Sequence, residues 1–74
     1  STYICNTHNL DKFINILDKL INNFVLITHN SDNVITNKFD KIYNNPKLII
    51  WFGQNVIFKH NKIIPIPIGI ANSY

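Results

Sequence analysis

Four short runs of aliphatic, β-branched and aromatic residues divide this chain, and each breaks off abruptly into polar side chains. Tyr3-Ile4-Cys5 runs into Asn6-Thr7-His8-Asn9, and Phe24-Val25-Leu26-Ile27-Thr28 into His29-Asn30-Ser31-Asp32-Asn33. Leu48-Ile49-Ile50-Trp51-Phe52 runs into Gly53-Gln54-Asn55, and the run over 63–68 into Gly69-Ile70-Ala71-Asn72-Ser73. Short apolar runs bounded by turn-forming residues read as buried strands. In an open α/β sheet, ligands bind in the crevice outside the carboxyl ends of the strands. The polar groups of this chain gather where that rule places a site.

Helical periodicity fills the first two intervals. Leu10, Phe13, Ile14, Leu17, Leu20 and Ile21 share one face of a helix over 9–22, with Asn9 as its expected cap. A second helix is expected over 36–44, capped by Asn33 or Thr36, with Ile35, Phe39, Ile42 and Tyr43 on its apolar side. Asn44-Asn45-Pro46 ends it, because the residue before proline leaves the helical region. Strands are expected over 2–5, 24–28, 48–52 and 63–68. Strand and helix in alternation imply right-handed βαβ units and a parallel sheet. The interval 53–62 is short for a helical crossover, so a loop, a single helical turn or a short strand at 56–58 is expected there. The fold class is therefore α/β: an open, mostly parallel, Rossmann-like sheet of about four strands with two helices.

Pro65 and Pro67 constrain the fourth strand. Residues two apart point their N–H groups to the same side, so one side of that strand lacks two donors and belongs at an edge. Strands two to four are continuous rather than alternating apolar runs, the pattern of strands buried on both faces. Two helices connecting successive parallel strands in one direction cover only one face. The expectation is an incomplete domain, a segment of a longer protein, or a subunit that buries its second face against a partner.

Seventy-four residues, 46% of them hydrophobic, allow at most one small domain. Surface scaling predicts a folded accessible area of about 4,700 Å². The net charge of +3 comes from seven dispersed lysines without any arginine. It lacks the arginine-bearing basic stripe of a nucleic-acid binder. Asparagine (13 residues) and isoleucine (15) are abundant, as an AT-rich coding sequence produces, so an asparagine by itself carries little functional weight. The single cysteine, Cys5, fits a reducing compartment such as the cytoplasm. No apolar run reaches membrane-spanning length, and no leader pattern opens the chain.

Among the polar segments, His29 and Asp32 are the candidate catalytic pair, His29 as base and Asp32 as its orienter or as a hydroxyl acceptor. Asn30 and Ser31 lie between them as candidate ligand-binding residues. Asn30, Ser31 and Asp32 serve equally well as turn and cap residues. Gln54 and Asn55 offer amides suited to hydroxyls or to closing a tight turn. Gly69 permits close backbone approach, and Asn72 offers either a ligand contact or a helix cap. His8 and His60 have no partners at metal-ligand spacing, so no metal is expected, and no cofactor fingerprint is present. Trp51, inside an apolar run, reads as core.

Three segments together, His29-Asn30-Ser31-Asp32, Trp51-Phe52-Gly53-Gln54-Asn55 and Ile66-Pro67-Ile68-Gly69-Ile70-Ala71-Asn72-Ser73, resemble a glycosyltransferase-like family. That family is common in large DNA viruses and similar in pattern to exostosin-type enzymes of the GT-B class. The likeness covers about residues 24–73 and rests on the combination, since no single segment is diagnostic. It implies a Rossmann-like domain belonging to the N-terminal half of such an enzyme. A downstream domain would hold the nucleotide-sugar donor, and the loops named above would face a saccharide. For a viral protein, it also implies the host cytoplasm. Two other readings stand beside it: a non-catalytic carbohydrate- or nucleotide-binding module, and a structural α/β interaction subunit, including a homo-oligomer.

Overall fold

A computed structural model describes residues 1–29 and 33–67 of the chain. Strands β1 (Thr2–Asn6), β2 (Phe24–His29), β3 (Leu48–Gly53) and β4 (Ile63–Pro65) form one sheet in the order β1-β2-β3-β4. Every neighbouring pair is parallel. Helix α1 (Leu10–Ile16) joins β1 to β2, and α2 (Asp40–Tyr43) joins β2 to β3. This is the α/β architecture expected of the alternating pattern. The accessible area, 4804 Å², matches that of a compact chain of this mass.

The helices are shorter than their apolar stripes. A 3-10 turn over Thr7–Asn9 precedes α1, and a second over Leu17–Lys19 follows it. Asn9 makes no capping side-chain bond, contrary to expectation, because the turn before it already delivers the chain into the helix. At the other end Leu20 is extended, with φ −76° and ψ 126°, and its carbonyl accepts a hydrogen bond from the Lys47 ammonium. Ile21, the last member of the stripe, is 87% exposed. The chain leaves the helix early to enter the sheet at Phe24, whose N–H donates to the Lys47 carbonyl at 2.9 Å. The second helix begins as expected at Thr36, whose hydroxyl oxygen accepts from the Lys38 N–H at 3.3 Å.

Both helices pack on one face of the sheet. Leu10, Phe13 and Leu17 from the first connection, with Ile35, Phe39 and Ile42 from the second, bury Phe24, Leu26, Leu48 and Trp51. Tyr3, Phe13 and Phe24 form an aromatic triangle with centroids 5.6–6.0 Å apart, and Phe39 meets Trp51 edge-on at 6.3 Å. The other face carries no covering element among the described residues. Register runs Ile4, Ile27, Phe52 and Ile64 across all four strands, with Thr2, Val25 and Ile50 in the row beside them. Ile49 is an extra residue in β3: Phe24 pairs with Leu48, while Val25 pairs with Ile50.

Backbone hydrogen bonds place Pro65 as its chemistry requires. Trp51 N–H donates to the Lys62 carbonyl and Ile66 N–H to the Gly53 carbonyl, each at 2.8 Å. Even-numbered residues thus bond β3, and Pro65 falls on the outer edge; β4 ends at Pro65, short of the strand expected over 63–68, and the Pro67 carbonyl beyond it turns to accept the Gln54 side-chain amide. The interval between β3 and β4 holds no helix. Instead Ile35 and Val56 form a parallel bridge, with Ile35 N–H donating to the Asn55 carbonyl at 2.9 Å and Ile57 N–H to the Ile35 carbonyl at 3.2 Å.

Candidate functional site

Parallel pairing brings the carboxyl ends of the strands to one edge of the sheet, and the polar segments follow. Within β2, strand alternation sends Phe24, Leu26 and Thr28 inward and Val25, Ile27 and His29 outward. Thr28 and His29, adjacent in sequence, therefore serve opposite faces. Thr28 is fully buried, and its hydroxyl oxygen accepts the Trp51 indole N–H at 3.0 Å. His29 is half-buried on the other face, in register with Asn6 of β1. Cα partners in neighbouring strands lie about 4.8 Å apart, so Asn6 and His29 form one polar step beyond the apolar rows.

At the end of β3, Gly53 fits where a side chain would not. A Cβ there would lie 2.6 Å from Ile35 Cδ1 and 3.0 Å from Thr28 Oγ1. Gln54 is 2% exposed. Its backbone N–H donates to the Thr28 carbonyl at 3.3 Å, and its side-chain Nε2 donates to the Pro67 carbonyl at 3.3 Å. That amide holds the exits of β2, β3 and β4 together. Asn55 is half-buried with φ +58°, a left-handed conformation that asparagine tolerates better than most residues. Its carbonyl receives the Ile35 N–H.

Of the residues singled out in the sequence, His29, Gln54 and Asn55 are thus placed at the carboxyl edge. Asn30, Ser31, Asp32, Gly69 and Asn72 lie outside the described residues. His60 closes the turn into β4, its Nδ1 accepting the Lys62 N–H at 3.1 Å, while its ring lies 4.6 Å from that of Tyr43. No group of three metal-ligating side chains occurs among the described residues, and no helix there is long and apolar enough to cross a membrane. Cys5, half-buried on β1, has its thiol pKa pushed up by burial, which favours the unreactive thiol over the thiolate.

Sequence reasoning missed a cavity of about 260 Å³ between the start of α1 and the turn over Asn37–Phe39. Thr7, Asp11 and Lys38 contribute to its lining with His8, Asn33 and Phe39. Thr7 belongs to the polar segment after the first apolar run and Asp11 falls off the apolar stripe of the first helix, and nothing local to 7–11 shows that 33–39 folds against it. Only the position of Thr7, directly after β1, carried a signal. Compared with protein-family models, curated proteins and solved structures, the chain finds no match.

Proposed function

We propose that these residues form part of the N-terminal half of a glycosyltransferase-like enzyme, with the carboxyl edge of the sheet facing a saccharide or nucleotide sugar. The observation supporting this reading is that polar segments from three parallel strands end at one edge: Asn6 at the end of β1, His29 at the end of β2, and Gln54-Asn55 directly after Gly53 at the end of β3. In this reading His29 takes the proton of an acceptor hydroxyl as its oxygen attacks the anomeric carbon. The nucleoside diphosphate leaves with the electron pair of the broken C–O bond, and Asp32 orients the base or the hydroxyl. Asn30, Ser31, Asn55, Gly69 and Asn72 contribute to the saccharide-facing loops. Gln54 acts as a positioning residue through its bond to the Pro67 carbonyl.

The test is sugar transfer from nucleotide-sugar donors by the full-length gene product, with His29→Ala and Asp32→Ala compared with the parent. Loss of a general base lowers turnover about 10²–10⁴-fold. Transfer unimpaired in both variants would sink the assignment. Saturable glycan binding without turnover in the parent would identify a binding module instead. The reading as an interaction subunit draws on a different observation, the row Ile4, Ile27, Phe52 and Ile64 left open on the uncovered face.

A further inference from the structure

The two edges of the sheet differ. Among the described residues β1 and β4 are the outermost strands, each with a neighbour on one side only. The outer edge of β4 has no donor to offer, because the Ile63 N–H already donates to the His60 carbonyl at 3.1 Å and Pro65 has none. β1 runs for five residues, Thr2–Asn6, and carries neither proline, lysine nor bulge, the devices that blunt an exposed edge. Thr2 pairs with Val25, whose N–H donates to the Ser1 carbonyl at 2.8 Å. In a parallel ladder that bond turns the backbone groups of Tyr3 and Cys5 toward β2 and those of Thr2 and Ile4 outward. Both outward residues are exposed, Ile4 to 64%.

An edge of this kind is a template for another strand, and its chemistry suits a second copy of the chain. Seven lysines give the chain a net charge of +3, yet no charged side chain lies within β1. Two copies therefore meet there without like charges face to face. Head-to-tail addition of β1 to β4 would find carbonyls but no donors, which disfavours a filament. What remains is β1 against β1, a self-complementary contact about a two-fold axis that closes at two copies. Such an axis makes the strands antiparallel. Centred at Ile4, it sets Ile4 opposite Ile4 and Thr2 opposite Asn6, so the whole strand is matched. Centring it at Tyr3 or Cys5 leaves one end of the strand unmatched.

We infer that two copies of this chain pair through β1, antiparallel about a two-fold axis at Ile4, joining their four-stranded sheets into one. The outer row Ile4, Ile27, Phe52 and Ile64 then continues into Ile4 of the second copy, which covers the more exposed end of the row. On the helix side, Cys5 faces Tyr3 of the second copy beside a cleft of about 340 Å³, to whose lining Cys5, Phe13 and Ile16 contribute. Pairing by edges leaves the outer face open and does not use His29, so it succeeds or fails separately from sugar transfer. Five residues a side fall short of the roughly 20–30 of a stable interface, so the dimer is a weak one.

Sedimentation equilibrium of this chain from micromolar to millimolar concentration, with amide hydrogen exchange at both ends of that range, tests the pairing. The mass should rise from 8.6 kDa toward twice that value and no further. The Thr2 and Ile4 amides should exchange about tenfold or more slowly at the higher concentration. Ile4→Lys and Ile4→Glu, at an exposed position, should each stay monomeric. An equimolar mixture of the two should associate again, because residue 4 meets itself across the axis. Ile64→Thr, at the far end of the row, should leave the dimer intact. A constant mass of 8.6 kDa overturns the pairing, and so does growth beyond two copies. Association that leaves the Thr2 and Ile4 amides unprotected, or that Ile64→Thr abolishes, lies on the outer face and overturns it equally. Two folded variants that do not associate on mixing have the same consequence. Exchange is read on the parent chain, so it decides the matter even where a variant fails to fold.

Discussion

The indole N–H of Trp51 would be stranded in the core but for Thr28, whose hydroxyl oxygen accepts it at 3.0 Å. Both residues are fully buried, so water cannot replace either partner. Thr28→Val keeps the branched shape and removes the acceptor. It should lower unfolding free energy by about 1–3 kcal/mol, the cost of an unsatisfied buried donor. A urea titration followed by the emission of Trp51, the chain's single tryptophan, measures this as a lower midpoint at unchanged slope. Thr28→Ser retains the oxygen and should recover part of the loss. The core placement of Trp51 was legible from the apolar run around it. Its polar partner was not, because a contact across 23 residues has no local signature. The same reason hid the role of Gln54. A polar residue after a strand suggests an exposed amide, and only the meeting of three strand exits shows why this one is buried.

At the scale of elements, strand patterns were read more accurately than helix lengths. Strands β1 to β3 fall within a residue of the apolar runs that announced them, since each run ends where its polar segment begins. The first helix stops well before its stripe does, because the chain must turn at Leu20 to reach Phe24. Periodicity records which residues are apolar, not where a connection has to end. The fourth strand stops at Pro65, three residues short of its apolar run, but Pro65 itself gave firmer information because it acts by removing a donor. Pro65 occupies the outer edge, so Pro65→Ala should change stability by no more than about 0.5 kcal/mol. Ile66 is the opposite case: its N–H reaches the Gly53 carbonyl at 2.8 Å. Ile66→Pro breaks that bond beside the Gln54 contact and should cost about 1–3 kcal/mol. Thermal melts of the two variants, one residue apart, would test the assigned edge. Equal losses would contradict it.

The whole molecule is a two-layer structure built from strands whose composition suits three layers. Helices satisfy the inner face, but the outer face presents the row Ile4, Ile27, Phe52 and Ile64, with Ile4 64% and Ile64 40% exposed. A layer of this composition is ordinarily covered on both sides in a parallel sheet, and exposed contiguous apolar surface marks a place of contact. The chain on its own should therefore bind a dye such as 8-anilinonaphthalene-1-sulfonate while still melting cooperatively. Replacing Ile4 and Ile64 by threonine keeps β-branching, and with it strand preference, while removing apolar surface from both ends of the row. Because neither side chain belongs to the inner core, each change should alter stability by no more than about 0.5 kcal/mol. Dye fluorescence should fall well below that of the parent. If the double variant instead unfolds, or if the parent's urea midpoint rises with protein concentration while dye stays unbound, the outer face is already buried against a second copy in solution. Dye binding and concentration dependence together distinguish an open face from a shared one, because a shared face excludes dye as it ties stability to mass action.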